Sequence, residues 1–258
     1  MADVEFEVLD GVARLTINRP ERRNALSFEV MRSLRDHLRL VAEDEAAQVV
    51  VLSGAGGKAF SSGADLSAVG SGDSVVEAHE ARGQLADVFR DLWALEKPTI
   101  ASVQGFALAG GFGLAMACDF VIASEDAQFG TPEINVGLWP FMITVPLLRS
   151  MPPRVALELM ATGRRVDANE AARIGFVNRV VPTLELERVV DEFASSLAAR
   201  SSLILGMGKK SFYRALEMEP SVALDYLQTM LTITTLSDDS AEGISAFLEK
   251  RDPRWRGR

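Results

Sequence analysis

The chain begins with two segments in which apolar and polar residues alternate, a pattern typical of half-buried strands. The segments are Val4 to Leu9 and Val12 to Ile17, and the Asp10-Gly11 pair between them favours a tight hairpin turn. After Ser27, a candidate N-cap residue, apolar residues recur at helical spacing. These positions are Val30, Met31, Leu34, Leu38 and Val41. We therefore predict a β-hairpin followed by an amphipathic helix.

The middle of the chain repeats short apolar strands, loops and helical segments. Val49 to Leu52 is apolar throughout, as expected for a strand covered on both faces. A loop over 53–66 and a helical segment ending near Leu95 follow, and Thr99 to Val103 then predicts another strand. Further strands are predicted at 119–123 and 176–180. This alternation indicates an α/β fold with a layered sheet.

Beyond Pro182 the pattern predicts helices alone. The expected helices are Leu184 to Ala199, Leu203 to Leu216, Val222 to Leu236, and Ala241 to Lys250 behind the capping candidates Ser237-Asp238-Asp239. Helices of this total length make a thin core by themselves, so we expect them to pack on another subunit as well as on their own. We divide the chain into residues 1–182 and 183–258.

Composition narrows the classes of function. The 258 residues are 48% hydrophobic, enough for a large core, and the net charge is -9 with a pI near 4.9. Nucleic-acid binding is disfavoured because it requires a basic surface that displaces counterions from phosphate. Two histidines and a single cysteine, Cys118, provide no recognisable metal site or disulfide framework.

We expect a cytoplasmic protein, because the sequence shows no recognisable targeting signal. The N-terminal residues Asp3, Glu5 and Glu7 do not match a signal peptide, and the cysteine content fits a reducing compartment. Residues 98–118 lack charge and could span a bilayer by length. Glycines and Gln104 dilute their apolarity, however, and no basic cluster flanks them, so we expect no membrane span.

A glycine cluster carries the first indication of chemistry. Gly110, Gly111 and Gly113 follow an apolar strand pattern and open a helical one. The first N–H groups of a helix lack internal partners and carry partial positive charge, which suits a carbonyl oxygen that becomes an oxyanion. The alternative is that these glycines serve only close packing of a buried strand and helix.

A second glycine-rich segment, Gly54-Ala-Gly56-Gly-Lys-Ala59, loosely matches the dinucleotide-binding fingerprint. That fingerprint should lead directly into a helix that receives the pyrophosphate, whereas a loop continues here to Leu66. A nucleotide P-loop is also excluded, because Lys58 is followed by Ala59 and not by serine or threonine.

Three ordered motifs, at 58–66, 104–113 and 128–134, resemble those of the crotonase family, the enoyl-CoA hydratase/isomerase superfamily. The resemblance extends from 18–26 to 243–251. It implies a crotonase-like spiral of repeated ββα units with a C-terminal helical trimerisation region, and trimers or hexamers as assemblies. It also implies an acyl-CoA thioester as substrate, with no cofactor beyond the CoA of that substrate.

The resemblance implies a set of site residues. The N–H groups of Ala64 and Gly110 would bind the thioester oxygen as it becomes an enolate, and Glu133 would carry the α-carbon proton. Arg22, Arg23 and Lys250 match positions that contact CoA, and Phe247 matches an aromatic that lines the acyl pocket. The remaining substrate-binding positions that it implies are Ala25, Ser62, Gly63, Asp65, Leu66, Gly111 and Pro132.

The chain departs from the family pattern at Gly113, where a hydratase of the family carries a second glutamate that activates water. The two-carboxylate hydration mechanism therefore does not carry over intact. We expect Glu133 alone to convert a 3-enoyl-CoA into the conjugated 2-enoyl-CoA. The alternatives are a hydratase or dehydratase with another water-positioning group, a thioester hydrolase or decarboxylase, and a catalytically silent acyl-CoA binding protein.

A second departure is the bulky segment 140–144, where many relatives have a glycine-rich turn. Together with Trp139, these side chains predict an acyl pocket of restricted shape.

Overall fold

The computed structural model describes residues 2–65 and 74–257. The strands are β1 (Val4–Leu9), β2 (Val12–Ile17), β3 (Val49–Gly54), β4 (Ala59–Ser61), β5 (Thr99–Val103), β6 (Phe106–Leu108), β7 (Phe120–Ser124), β8 (Gln128–Gly130), β9 (Arg165–Asp167) and β10 (Arg179–Val181). The helices are α1 (Phe28–Glu43), α2 (Val75–Ala94), α3 (Gly110–Ala117), α4 (Thr144–Ser150), α5 (Pro153–Thr162), α6 (Ala168–Ile174), α7 (Leu186–Ala198), α8 (Ser202–Ala215), α9 (Pro220–Thr235) and α10 (Asp238–Glu249).

Successive strands divide between two sheets. A six-stranded sheet has the order β1-β2-β3-β5-β7-β10, and a four-stranded sheet has the order β4-β6-β8-β9. In the pairs β3/β4, β5/β6 and β7/β8, the first strand joins the large sheet and the second joins the small one. The spiral of ββα units that the resemblance implies is therefore confirmed.

The hairpin has the predicted bounds, and the first helix has the predicted cap and buried face. β1 and β2 pair antiparallel, with Val4 opposite Ile17 and Leu9 opposite Val12. The Ser27 Oγ accepts a hydrogen bond from the N–H of Val30 at 3.3 Å and caps α1. All five apolar positions predicted for α1 are buried in the main core.

Two strand predictions were wrong. The predicted loop over 53–66 contains β4, a strand of three residues that is too short to produce a periodic pattern. The strand predicted at 176–180 begins only at Arg179. Phe176 is buried, but its N–H donates to the carbonyl of Ala171 at the end of α6, so this apolar residue completes a helix end.

The C-terminal region is helical, as predicted. Leu186, Val190 and Ala194 of α7 pack against large-sheet residues that include Val49 and Ile100. The division at 182/183 stays a prediction, and α7 shares a core with the sheet. Within the described ranges, none of the helices combines the length and apolarity needed to cross a membrane.

Candidate active site

Three parallel strands of the small sheet end at the same edge and lead into the predicted catalytic segments. β4 pairs parallel with β6, and β6 pairs parallel with β8. The residues that follow these strands include Ala64, Gly110 and Glu133 respectively. Since the carboxyl ends of parallel strands meet at one edge, the fold brings together residues that are far apart in sequence.

The loop that carries Ala64 is held by backbone hydrogen bonds to the segment before α1. The N–H of Leu26 donates to the Gly63 carbonyl at 2.8 Å, and the N–H of Asp65 donates to the Leu26 carbonyl at 3.1 Å. The N–H of Ser62 also donates to the Arg23 carbonyl at 3.0 Å. The orientation of the Ala64 N–H is therefore fixed from both sides.

A strained residue turns the chain from β6 into α3. Ala109 has φ 51° and ψ -127°, a conformation that costs a non-glycine residue about 1–3 kcal/mol. Its N–H donates to the Gly130 carbonyl at 2.9 Å, and its carbonyl accepts from the N–H of Gly113 at 3.1 Å. The turn makes Gly110 the first residue of α3, so its N–H has no intrahelical acceptor.

The N–H groups of Ala64 and Gly110 converge. A Cβ built on Gly63 would lie 3.0 Å from the Gly110 nitrogen, and a Cβ built on Gly110 would lie 3.6 Å from the Ala64 nitrogen. Across residues 2–65 and 74–257, neither N–H has a hydrogen-bond acceptor. Two neighbouring backbone donors, one of them at the start of a helix, form an arrangement that can bind a thioester oxygen.

Glu133 lies in the short 3-10 helix Pro132–Val136, directly after β8. Its side chain is half-buried, and Oε2 has no hydrogen-bond partner within the described part of the chain. Burial raises the pKa of this carboxyl above its usual value because it disfavours the charged form. A half-buried carboxylate with a raised pKa is suited to proton transfer.

A second carboxylate near the pair of donors is neutralised. The Asp65 carboxylate lies 3.2 Å from the Arg19 guanidinium, with side chains that are 12% and 15% exposed. Arg19 also donates to the Ala25 carbonyl at 2.9 Å. Arg19 therefore ties Asp65 to the segment before α1, a contact that the sequence analysis missed. Substrate binding by Asp65 stays a prediction.

Asn24 is another positioning residue that the sequence analysis missed. Its side chain is fully buried, donates to the carbonyls of Ala55 and Ala59 at 3.0 and 2.7 Å, and accepts from the N–H of Arg19 at 2.9 Å. Its φ is 55°, a left-handed conformation in which asparagine is enriched. Asparagine next to a Pro-containing turn was the available signal.

The candidate CoA contacts fall into two groups. Arg22 and Arg23 are exposed beside the Ala64 loop and form no ion pair within the described residues. Phe247 lies on α10 with 82% of its surface exposed. Lys250 follows α10 and is also exposed. The roles predicted for Phe247 and Lys250 stay predictions.

The remaining predicted positions surround the pair of donors without all facing it. Ala25 is buried, and Gly111 packs on β4, where a Cβ at Gly111 would lie 2.7 Å from the Ser61 Cβ. The half-buried residues Ser62 and Pro132 directly precede Gly63 and Glu133. Leu66 lies outside the described residues.

No group of His, Cys, Asp or Glu side chains within residues 2–65 and 74–257 is arranged to hold a metal ion. Cys118 is buried in the main core, and burial raises the pKa of its thiol to about 12. The thiolate is therefore scarce at neutral pH.

Gly113 has an apolar environment. A Cβ at this position would lie 2.7 Å from the Ile143 Cβ and 3.1 Å from the Phe89 Cζ. The place where a hydratase of the family would project a glutamate from α3 is thus occupied by side chains from other elements.

The chain is similar to enoyl-CoA hydratases over almost its full length. The family model described as enoyl-CoA hydratase/isomerase matches residues 7–258. A crotonyl-CoA hydratase of Syntrophomonas wolfei is 36% identical over 250 residues, covering 96% of this chain and 96% of that protein. A 2,3-dehydroadipyl-CoA hydratase of Escherichia coli is 36% identical over 249 residues, again with 96% of each covered.

The structural similarity is equally extensive. The crystal structure of an enoyl-CoA hydratase from Mycobacterium smegmatis matches with a TM-score of 0.94 and 35% identity, covering 98% of each chain. The matched family region includes all three strands that end at the candidate site.

Proposed function

The chain belongs to the enoyl-CoA hydratase/isomerase family, and we propose that it isomerises 3-enoyl-CoA to 2-enoyl-CoA with Glu133 as the single proton carrier. The observation that supports this most directly is the half-buried Glu133 carboxylate, whose Oε2 has no partner within the described residues. It lies at the same sheet edge as the paired N–H groups, and α3 offers glycine where a second carboxylate would stand.

The proposed reaction is a proton transfer in two steps. Glu133 takes a proton from the α-carbon of the 3-enoyl thioester, and the electron pair moves onto the thioester oxygen to give a dienolate. The N–H groups of Ala64 and Gly110 hold that oxygen. The protonated Glu133 then returns the proton to the γ-carbon, which regenerates the carboxylate. In the product the double bond lies between the α- and β-carbons.

The two N–H donors and the Glu133 carboxylate are expected to accelerate the reaction by similar amounts. One oxyanion-hole donor contributes about 3 kcal/mol to the transition state. A positioned acid or base contributes about 10²- to 10⁴-fold in rate. The raised pKa of Glu133 favours removal of the α-carbon proton because it makes the carboxylate a stronger base, closer in basicity to the enolate.

Hydration of 2-enoyl-CoA is the second candidate, because the relatives named above are called hydratases. It requires a group that activates water at the β-carbon, and Gly113 cannot supply one. A silent acyl-CoA binding protein would gain nothing from a half-buried carboxylate without a partner, which costs stability.

Product analysis with purified protein tests the proposal. We expect 3-enoyl-CoA to give the conjugated thioester, detected by its absorbance and by chromatography, with little 3-hydroxyacyl-CoA from either enoyl isomer. Rapid formation of 3-hydroxyacyl-CoA from 2-enoyl-CoA would favour the hydratase instead. Tight thioester binding without turnover of either substrate would favour the silent binder. The cytoplasmic location expected from the sequence stays a prediction.

We also propose that the chain assembles as a homotrimer or a pair of trimers. The helices α9 and α10 expose a series of large apolar side chains. These residues include Leu224, Leu231, Ile244, Phe247 and Leu248. Exposed apolar surface of this kind is typical of an interface between subunits.

Light scattering coupled to size-exclusion chromatography checks the assembly. We expect a trimer or hexamer for the wild-type chain and a shift to smaller species for Leu231→Lys, because the charge would be buried at the interface. Leu184→Lys is the matched control, since Leu184 is equally apolar and 99% exposed but precedes α7. A monomeric wild-type protein would contradict the assembly.

A further inference from the structure

Gly113 and Ile143 pack together so closely that no side chain fits on Gly113. The Ile143 Cβ would lie 2.7 Å from a Cβ at residue 113, a separation that Cβ atoms essentially never show. Ile143 is 3% exposed and belongs to the main core. The two departures from the family pattern, at 113 and at 140–144, are therefore in direct contact.

The contact lies in the buried packing between α3 and α2, one turn of α3 from Gly110. Gly110 and Gly113 are one turn apart on α3 and face the same helix, α2. A Cβ at Gly110 would lie 3.2 Å from the Leu85 Cδ2, and one at Gly113 would lie 3.1 Å from the Phe89 Cζ. Leu85 and Phe89 are themselves one turn apart on α2, so apolar side chains continue from the oxyanion donors to Ile143.

Ile143 comes from the same segment as the proton carrier. The N–H of Leu138 donates to the Glu133 carbonyl at 3.0 Å, and the N–H of Thr144 donates to the Pro140 carbonyl at 3.2 Å. The Ile143 carbonyl accepts from the N–H of Leu147 at 3.1 Å and so begins α4. The segment that presents Glu133 therefore returns to α3 and places hydrocarbon against it.

We propose that Gly113 and Ile143 form a matched pair that determines which reaction the site performs. Ile143 occupies the space that a side chain at position 113 of α3 would need. Glu133 therefore remains the single proton carrier. An apolar wall offers no hydrogen bonds to a water molecule, and an ordered water next to it is disfavoured. The inference rests on the proposed isomerase function and identifies Ile143 as the residue that disfavours hydration.

The pair predicts that Gly113→Glu alone does not create a hydratase, because its Cβ collides with Ile143. Gly113→Glu with Ile143→Gly opens the space, and Gly113→Gln with Ile143→Gly is the matched control without a carboxylate. We expect at least a tenfold gain in hydration of 2-enoyl-CoA in the glutamate double variant and none in the other two variants. An equal gain in Gly113→Glu alone, or no gain in a folded glutamate double variant, would overturn the proposal.

A stability cycle tests the pair independently of catalysis. Gly113→Ala is expected to lower the midpoint of thermal unfolding by about 5 °C in the wild-type background and by much less when Ile143→Gly is also present. Equal losses in both backgrounds would overturn the contact. If the wild-type protein fails to isomerise 3-enoyl-CoA, the proposed function falls, and this cycle still decides whether Gly113 and Ile143 are matched.

Discussion

Glu133→Gln is expected to lower kcat for isomerisation of 3-enoyl-CoA by about 10²- to 10⁴-fold, with a small change in KM. The amide has nearly the same shape as the carboxyl group but cannot accept the α-carbon proton. In the proposed mechanism the thioester oxygen is held by the backbone N–H groups of Ala64 and Gly110, so ground-state binding should persist. Steady-state kinetics with the 3-enoyl thioester measure both constants.

The same variant should be more stable than the wild-type protein at neutral pH. Because burial raises the pKa of Glu133, its ionised form destabilises the folded state, and this cost develops as the pH rises from the ordinary value of 4.5 through the folded-state pKa. The difference in the thermal midpoint should disappear below pH 4.5. A loss of activity together with a loss of stability would indicate a structural role instead.

Glu125→Gln is the matched control, since Glu125 is an exposed carboxylate in the turn between β7 and β8, close to Glu133 in sequence. We expect unchanged kinetics and an unchanged thermal midpoint for this variant. Unchanged turnover in Glu133→Gln would exclude Glu133 as the proton carrier.

Gly63→Ala is expected to lower kcat/KM by about 10²-fold or more, the effect of losing one oxyanion donor. The added methyl group would lie 2.6 Å from the Ala109 Cβ and 3.0 Å from the Gly110 nitrogen, so the two loops must separate. The backbone of Gly63 also has φ 93°, which strains any other residue. Kinetics should show the loss mainly in kcat, because the displaced donors act on charge that develops during the reaction.

Gly175→Ala separates backbone strain from displacement of the donors. Gly175 has φ 103° at the end of α6, and a Cβ there meets no atom of the described chain within 4 Å. Both variants should lose stability through backbone strain, and Gly63→Ala should lose more because its methyl group also collides with Ala109, but Gly175→Ala should keep wild-type kinetics. Equal activity losses in the two variants would remove the argument for converging donors.

Local signals predicted much of the fold. The Asp10-Gly11 turn and the alternation around it predict the register of β1 and β2, and the spacing after Ser27 predicts the buried face of α1. β4 was not predicted because three residues are too few to show a periodic pattern. Its partner strand β6, in which Phe106 lies opposite Ala59, is also far away in sequence. The strand predicted at 176–180 was placed too early, because the apolar Phe176 packs at the end of α6 and does not belong to a strand.

Part of the candidate site was predictable from a glycine cluster and from the family resemblance. The glycine cluster indicated free N–H groups at a helix start, and the family resemblance added Glu133 and the loop of Ala64. The ion pair of Arg19 with Asp65 links residues that share no local pattern, as does the contact of Gly113 with Ile143. Such contacts follow from how the two sheets and α2 enclose the site, and that arrangement emerges only from the complete fold.

The most direct test of single-carboxylate proton transfer uses 3-enoyl-CoA deuterated at the α-carbon, with mass spectrometry and NMR of the product. If Glu133 carries the proton from the α- to the γ-carbon, part of the label appears at the γ-carbon of 2-enoyl-CoA. Glu133→Gln then forms this product at least about 10²-fold more slowly. A main product of 3-hydroxyacyl-CoA, or label transfer that continues undiminished in Glu133→Gln, would contradict the account.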